Sequence, residues 1–156
     1  MFGRSATPYL GDEFGLKTTE CAELTRVALR RHKTPVSKIV SIALRMIKKQ
    51  SPGLKLIVSY ADPNVGHVGG IYQAMNWVYM GGSSPITQWK YQGSWRNDTS
   101  LMRMFQKDKT LKHRLPFRKL APKHKYLYPL DDDIKKTIET YRKPYPKLDV
   151  GKPRVG

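Results

Sequence analysis

Residues 58–77 read VSYADPNVGHVGGIYQAMNW, and this stretch decides the fold. The apolar run at 54–58 has the length and the flanking turn residues of a buried strand. A turn rich in Asp, Pro, Asn and Gly follows, and then a short segment that is compatible with a helix. Polar side chains are thereby gathered at the end of a strand, which is where open α/β sheets bind their ligands.

The sequence on either side of this stretch predicts an α/β fold. Thr34 offers an N-cap hydroxyl, and Pro35 suits the first helical position. Apolar residues then recur at three- and four-residue steps as far as the breakers at 51–53, which predicts an amphipathic helix. The other predicted strands cover residues 1–8, 23–29, 54–59, 77–80 and 85–91, and the other predicted helices cover 70–76 and 131–141.

The composition indicates one basic domain. The 156 residues include 29 Lys and Arg against 12 Asp and Glu, which gives a net charge of +17. Such an excess repels itself unless a polyanion neutralises it, so DNA or RNA is the first partner to consider, ahead of an anionic membrane or a merely soluble basic surface. We expect a core over residues 1–95 and a basic C-terminal extension over 96–156 packed on it, with a loose tail after about residue 143.

Cysteine usage and hydropathy predict a cytoplasmic protein. Cys21 is the single cysteine, so the fold has no intrachain disulfide and a reducing compartment suits it. It precedes an apolar segment, which predicts a small buried thiol rather than a catalytic nucleophile. The sequence has no run of about 18 apolar residues and no hydrophobic signal core at its N-terminus, so we expect neither a membrane span nor secretion.

Residues 103–125 carry a pattern typical of nucleic-acid-binding surfaces. Nine Lys or Arg and one acid, Asp108, are interleaved with aliphatic and aromatic residues. Cations release phosphate counterions and aromatic rings stack on exposed bases, although a solvated helix with an apolar stripe has the same pattern and stays open as an alternative. The residues that we expect to contact DNA are Arg103, Lys112, Arg114, Arg118, Lys119, Lys123 and Lys125.

Short motifs in a fixed order resemble those of a known family. They are ELTR at 23–26, PVS at 35–37, LRMIKK at 44–49, SYAD at 59–62, GH at 66–67, GGIYQA at 69–74, NW at 76–77 and PKHKYLY at 122–128. Together they resemble the phage Mom-type DNA adenine modification proteins over roughly residues 1–146. The order and spacing of the motifs make this resemblance more specific than any lone tripeptide.

The resemblance implies a GNAT-type, acetyltransferase-like fold, in which a mixed sheet is flanked by helices and acetyl-CoA is the cofactor. It also implies that N6 of adenine in DNA is converted to a methylcarbamoyl derivative, which hides phage DNA from restriction enzymes. The N-terminal strands and helices of a complete domain of this type have no counterpart in the sequence. Either a second copy or another chain completes the sheet, or the short form is not catalytically competent. The alternative function is a non-catalytic basic half-domain that binds DNA or completes a partner.

The resemblance assigns the chemistry to two residues. Asp62, at a strand end, would hold the adenine amino group or accept its proton, whereas an Asx turn with Asn64 is the structural alternative. Tyr72, at the start of the next helix, would protonate a departing thiolate, whereas a bare aromatic residue is more often part of the core. Asp62 and Tyr72 are therefore the predicted catalytic pair.

The resemblance also implies where the cofactor binds. It would lie between splayed strands at 23–29 and 54–59, with its pyrophosphate at the N-terminus of the helix that opens at 34–35. Arg26 and Ser37 match functional positions of the family, although an ion pair of Arg26 with Glu23 and a plain first-turn role for Ser37 stay open. Lys33 and Lys38 flank the backbone N–H groups that would face the phosphates. The glycine-rich phosphate loop usual in acetyltransferases is absent from the sequence.

One histidine and the tryptophans complete the candidates. His67 follows Gly66 in the same turn as Asp62 and is assigned to DNA, with a metal ion or no ligand as alternatives. No Cys or carboxylate spacing completes a metal motif, so no metal ligand is predicted. Adenine N6 is hard to reach inside a duplex, so the base has to flip out and stack on an aromatic side chain. The sequence does not determine which of three tryptophans forms that platform and which belong to the core. The three tryptophans are Trp77, Trp89 and Trp95.

Overall fold

The structure is a computed structural model that describes residues 1–3, 9–27 and 33–147. Its strands are β1 (Phe2–Gly3), β2 (Cys21–Leu24), β3 (Leu56–Ala61), β4 (Val78–Gly82), β5 (Ile86–Tyr91), β6 (Ser94–Asn97), β7 (Phe117–Leu120) and β8 (His124–Pro129). Its α-helices are α1 (Val36–Gln50), α2 (Gly70–Ala74), α3 (Asp98–Lys107), α4 (Leu111–Arg114) and α5 (Asp132–Glu139). Single 3-10 turns lie at Asp12–Phe14, Thr18–Glu20 and Pro63–Val65. The predicted α/β class is confirmed.

Five strands form a mixed sheet in the order β1-β2-β3-β8-β4. β2 and β3 are parallel neighbours, whereas β1 is antiparallel to β2 and β8 is antiparallel to both β3 and β4. β8 therefore separates two strands, β3 and β4, that run in the same direction. The mixed sheet flanked by helices is as predicted.

Helices cover both faces of this sheet, and the side chains of β3 alternate between the two cores that lie beneath them. Leu56 and Val58 face the side of α5, where they pack with Ile134 and Ile138. Ile57 and Ala61 face the side of α1 and join a second core. That core includes Leu24, Val40, Leu44, Trp77, Tyr79 and Tyr126. Because the strand is buried on both faces, its sequence, LIVSYA, is mainly apolar, as expected of a central strand.

A second, three-stranded antiparallel sheet has the order β6-β5-β7. The expected division of the chain after residue 95 falls inside β6, whose bounds are Ser94–Asn97. β8, from the part beyond that division, lies in the centre of the five-stranded sheet. Residues on both sides of 95 thus contribute strands to both sheets.

Several predicted boundaries were wrong. The N-cap of α1 is Pro35 rather than Thr34, because Pro35 has an extended ψ of 137° that keeps it outside the helix. β2 ends at Leu24 rather than at 29, and residues 28–29 lie outside the described residues. β3 runs two residues further than predicted, to Ala61, since β8 pairs with it as far as that residue. In the described ranges, no helix is long and apolar enough to cross a bilayer.

Candidate active site

The pairing of the parallel strands β2 and β3 stops before the end of β3. Their pairing ends at Glu23 opposite Val58, although β3 continues to Ala61. Beyond the last pair, the buried hydroxyl of Ser59 donates to the Leu24 carbonyl at 2.7 Å. A side chain therefore takes the place of the next ladder hydrogen bond, and this end of the described β2–β3 pairing is the strand divergence.

Tyr72 of α2 places its hydroxyl at this divergence. Its oxygen lies 2.6 Å from Oγ of Ser59. Ser59 has one hydroxyl hydrogen, and both the Leu24 carbonyl and the Tyr72 oxygen lie within its reach. When it points to Tyr72, the phenolic hydrogen of Tyr72 is free for another acceptor. Burial raises the pKa of Tyr72 above its usual value. The phenol is therefore protonated at neutral pH and can act as a proton donor.

A second tyrosine supports Tyr72 from β8. The hydroxyl of Tyr126 donates to the Val68 carbonyl and accepts a hydrogen bond of 3.0 Å from the amide of Gln73. Burial raises the pKa of Tyr126 to about 12. The ring centroids of Tyr72 and Tyr126 are 5.1 Å apart. Because Gln73 and Tyr72 are neighbours in α2, these contacts fix the short helix over the sheet.

His124 of β8 contacts Tyr79, whose ring packs against Tyr126. The sequence interpretation did not identify this histidine. Its Nδ1 lies 2.9 Å from the hydroxyl of Tyr79. Burial lowers the pKa of His124, so the imidazole is neutral near pH 7 and can accept a proton. The signal was present in HKYLY at 124–128, because period-two alternation places His124, Tyr126 and Tyr128 on one face of a strand.

Asp62 forms the Asx turn that was its structural alternative. Its Oδ1 accepts from the backbone N–H of Asn64 at 2.9 Å and from the Asn64 side-chain amide at 2.8 Å. Its Oδ2 lies 3.7 Å from Nζ of Lys123, which is an ion-pair distance but too long for a direct hydrogen bond. One carboxylate oxygen is thus committed to the turn, and the other is able to accept a further hydrogen bond.

Asn64 connects this turn to the segment before β8. Its side-chain amide donates to the Ala121 carbonyl at 3.0 Å, and its Oδ1 accepts from the Ala121 N–H at 3.0 Å. Across the sheet, Ala61 pairs with His124. The end of β3 and the start of β8 are therefore held together, and Asp62 follows the residue that pairs with His124.

The residues predicted to bind the cofactor lie at the start of α1 and after β2. Lys33 and Lys38 are exposed, and Ser37 is half-buried in the first turn of α1. Pro35 provides no side-chain cap, and its carbonyl accepts from the backbone N–H groups of Lys38 and Ile39 at 3.0 and 3.3 Å. Arg26 is exposed, and its carbonyl accepts from the N-terminal amine at 2.5 Å.

The residues predicted to bind DNA are distributed over two helices, two strands and two loops. Arg103, Lys112 and Arg114 belong to α3 and α4, whereas Arg118 and Lys119 belong to β7. Several are engaged within the protein: Lys112 lies 4.9 Å from the ring centroid of Phe105, Arg114 pairs with Asp108, and Lys125 pairs with Glu13. Lys123 faces Asp62, and His67 is exposed in the loop before α2.

A comparison with known protein families agrees with the motifs seen in the sequence. The model of the Mom protein family matches residues 1–147. The chain belongs to the Mom protein family. A relative, methylcarbamoylase Mom of Escherichia phage Mu, is 31% identical over 65 residues, which are 42% of this chain and 27% of the relative. The matched segment thus spans about a quarter of that relative's length.

The three tryptophans of this Mom-family chain have different environments. Trp77 is fully buried, and its indole N–H has no hydrogen-bond partner in the described structure. Trp89 is half-buried and donates to Asp98 at 2.7 Å. Trp95 is 37% exposed. Exposure therefore singles out Trp95 as the ring that a base can reach without rearrangement of the core.

Cys21 of this Mom-family chain is buried, as predicted. Burial raises the pKa of its thiol to about 11, so the thiolate is scarce at neutral pH.

A groove of about 360 Å³ lies elsewhere, beside α3 and α4, and Asp62 and Tyr72 are not among its lining residues. Its lining residues are Asp98, Met102, Phe105, Gln106, Lys109 and Lys112. The groove is therefore separate from the candidate site formed by Ser59, Asp62 and Tyr72.

Proposed function

We propose that this chain is a DNA-modifying enzyme that transfers an acetyl-CoA-derived group to N6 of adenine and so protects phage DNA from host restriction. Membership of the Mom family and the methylcarbamoylase name of the phage Mu relative support this proposal. The observation that carries it is the Ser59–Tyr72 contact at the point where β2 and β3 diverge. Mere DNA binding requires no protonated phenol at such a place.

A GNAT-type fold with bound acetyl-CoA is compatible with the five-stranded sheet. β2 and β3 are parallel neighbours whose pairing stops after three residues, and an extended arm would lie beyond that point. The first turn of α1, whose N-cap Pro35 provides no side-chain cap, lies beside Lys33, Ser37 and Lys38. These residues would hold the pyrophosphate, and the cofactor would supply an activated thioester carbon.

The chain's own residues divide the proton transfers between them. Tyr72 donates a proton at the strand divergence, because its phenol stays neutral and its hydroxyl is fixed by Ser59. Asp62 uses Oδ2 to hold the adenine amino group or to take its proton, since only Oδ1 is occupied by Asn64. A correctly placed base matters here because the lone pair of N6 is delocalised into the ring.

His124 is a second candidate for the base. It is neutral at pH 7, and it lies opposite the residue that precedes Asp62. Its Nδ1 is bonded to Tyr79, which fixes the orientation of the ring. Separate substitution of Asp62 and His124 distinguishes the two assignments.

The test is mass spectrometry of nucleosides from DNA of cells that express the chain. The parent is expected to produce a modified deoxyadenosine. Asp62→Asn keeps the turn acceptor and is expected to reduce the product about a hundredfold, the usual contribution of a general base. Tyr72→Phe removes only the proton donor and is expected to reduce it as well. Tyr141→Phe, at an exposed tyrosine, is the matched control and should leave the product unchanged.

A non-catalytic basic module is the second candidate function. The exposed strands of the second sheet favour it, because they carry cations and no acidic residue. In that case the parent would bind DNA and yield no modified adenine, even when a second copy or another chain is supplied. β1 forms the outer edge of the five-stranded sheet, where such a chain would add a strand.

A further inference from the structure

One face of the second sheet carries a row of polar side chains that crosses all three strands. Gln88 of β5 lies opposite Asn97 of β6 and opposite Arg118 of β7. Residues directly opposite each other in antiparallel strands project from the same face. Asn97, Gln88 and Arg118 therefore form one row across the sheet, and Trp95 shares this face because it lies opposite Lys90.

The row is held by a continuous set of contacts. Nε and Nη2 of Arg118 donate to Oε1 of Gln88 at 2.9 and 2.7 Å. The amide of Gln88 donates to Oδ1 of Asn97 at 2.9 Å. The guanidinium of Arg118 lies 4.5 Å from the ring centroid of Trp95. These contacts orient an exposed arginine before any ligand arrives, which lowers the entropic cost of binding.

The opposite face of the same sheet is the one that packs on the protein. Trp89 lies 5.4 Å from the ring centroid of Phe105 in α3, and its indole donates to Asp98. Lys119, the neighbour of Arg118 along β7, projects to the side of Trp89 because side chains alternate along a strand. Arg118, Trp95 and Asn97 are exposed, whereas Trp89 on the opposite face is half-buried against α3. The row of Arg118 is thus the outer face.

Charge and geometry select the partner for this face. β5, β6 and β7 contain four cations and no acidic residue. Arg pairs with guanine edges, and Asn and Gln pair with adenine edges, through two parallel hydrogen bonds. Three strands span about 10 Å from the first to the last, which is close to the major-groove width of about 12 Å. The cations are Lys90, Arg96, Arg118 and Lys119.

We propose that the outer face of the second sheet lies in the major groove of double-stranded DNA and reads base edges through Arg118, Gln88 and Asn97. Trp95 supports the guanidinium from the side. This inference rests on the proposed function for its choice of DNA as the substrate. It assigns sequence recognition to a sheet that is distinct from the Ser59–Tyr72 site.

The test compares the affinities of variants for short fluorescein-labelled duplexes of different sequence, without cofactor. Arg118→Ala is expected to weaken binding to the preferred duplex about tenfold or more, as for loss of a two-bond base contact. Lys136→Ala removes the same charge from an exposed position of α5, outside the second sheet, and is expected to change affinity no more than about twofold. Gln88→Ala should reduce sequence preference without altering the salt dependence, and Gln106→Ala on α3 is its neutral control.

Arg118→Lys keeps the test decisive if Arg118→Ala loses the fold. Lysine retains the charge but not the planar fork, so non-specific affinity should persist while sequence preference falls. Equal effects of Arg118→Ala and Lys136→Ala, full sequence preference in Arg118→Lys, or tighter binding to single strands than to duplexes would each overturn the proposal. Duplex recognition without any modified adenine would instead refute the proposed function alone.

Discussion

The ring of Tyr126 lies so close to Gly69 that a Cβ added to the glycine would be 2.3 Å from a ring carbon. Gly69 also has a φ of +81°, in the left-handed region that L side chains rarely adopt. The contact seats α2 on β8 and brings Tyr72 against Ser59. The glycine is thus required for two independent reasons.

We expect Gly69→Ala to lower the free energy of unfolding by about 3 kcal/mol, from backbone strain and from overpacking against a buried ring. For a chain of this size, the melting temperature should fall by roughly 10 °C. Gly70→Ala is the control, because an added Cβ there meets nothing within 4 Å. Similar melting curves for the two variants would show that the contact with Tyr126 relaxes at little cost.

The Asp62 turn can be separated into a structural and a chemical contribution. Asn64→Ala removes the bonds to both Asp62 and Ala121, and we expect a loss of about 1–2 kcal/mol in urea unfolding. Asp62→Asn keeps an acceptor for Asn64 and should unfold within about 0.5 kcal/mol of the parent. If Asp62→Asn is as destabilising as Asn64→Ala, the charge that faces Lys123 holds the loop, and loss of activity in that variant would not identify a base.

The Cys21 thiol provides a probe of folding. It is buried, and its pKa of about 11 leaves little thiolate at pH 8. Alkylation by iodoacetamide, followed by intact-mass spectrometry, should be at least about a hundredfold slower in the native protein than in urea. Because the folded pKa is raised above the ordinary thiol value of 9.0, this group's contribution to stability should be lost as pH rises from about 9 towards 11. Rapid native labelling would show that the segment around Cys21 opens readily.

His124 predicts a dependence of stability on acid. Its folded pKa is lowered from 6.5 by burial, so the unfolded chain binds the proton more readily than the native protein. Its contribution is therefore fully present above about pH 6.5 and is lost as pH falls through the folded pKa. His124→Gln should flatten the fall of melting temperature below pH 6.5, whereas His113→Gln on α4 should not. A slope unchanged in His124→Gln would assign the acid sensitivity to other groups.

Local patterns in the sequence identified most of the elements but not how they pair. The 3.6-residue periodicity predicted α1, and the apolar run after the breakers predicted β3, because both signals come from neighbouring residues. The pairing of β3 with β8 joins residues more than sixty positions apart, and no local pattern contains it. The cations of 103–125 were considered as one surface, whereas the chain folds them into two helices and two strands.

The candidate site was predicted in the same uneven way. Tyr72 and Asp62 follow one strand closely, so the motifs at 59–62 and 69–74 were enough to name them. His124 comes from a distant segment, and only the register that places Ala61 opposite it shows that it belongs to this site. The role of Ser59 also needed the structure, because a serine within an apolar strand looks like a small core residue.

The central position of β8 has a consequence for how the polypeptide is made. β3 and β4 both leave the ribosome before their common partner, so each has an unpaired edge until Pro129 has been synthesised. At typical rates of translation this delay is on the order of ten seconds, far longer than the formation of a helix or a hairpin. During that interval the nascent chain exposes LIVSYA, a strand that is buried in the folded protein. Its unpaired edge can then associate with other polypeptides. Association through this segment before β8 has been made would lower the yield of folded protein.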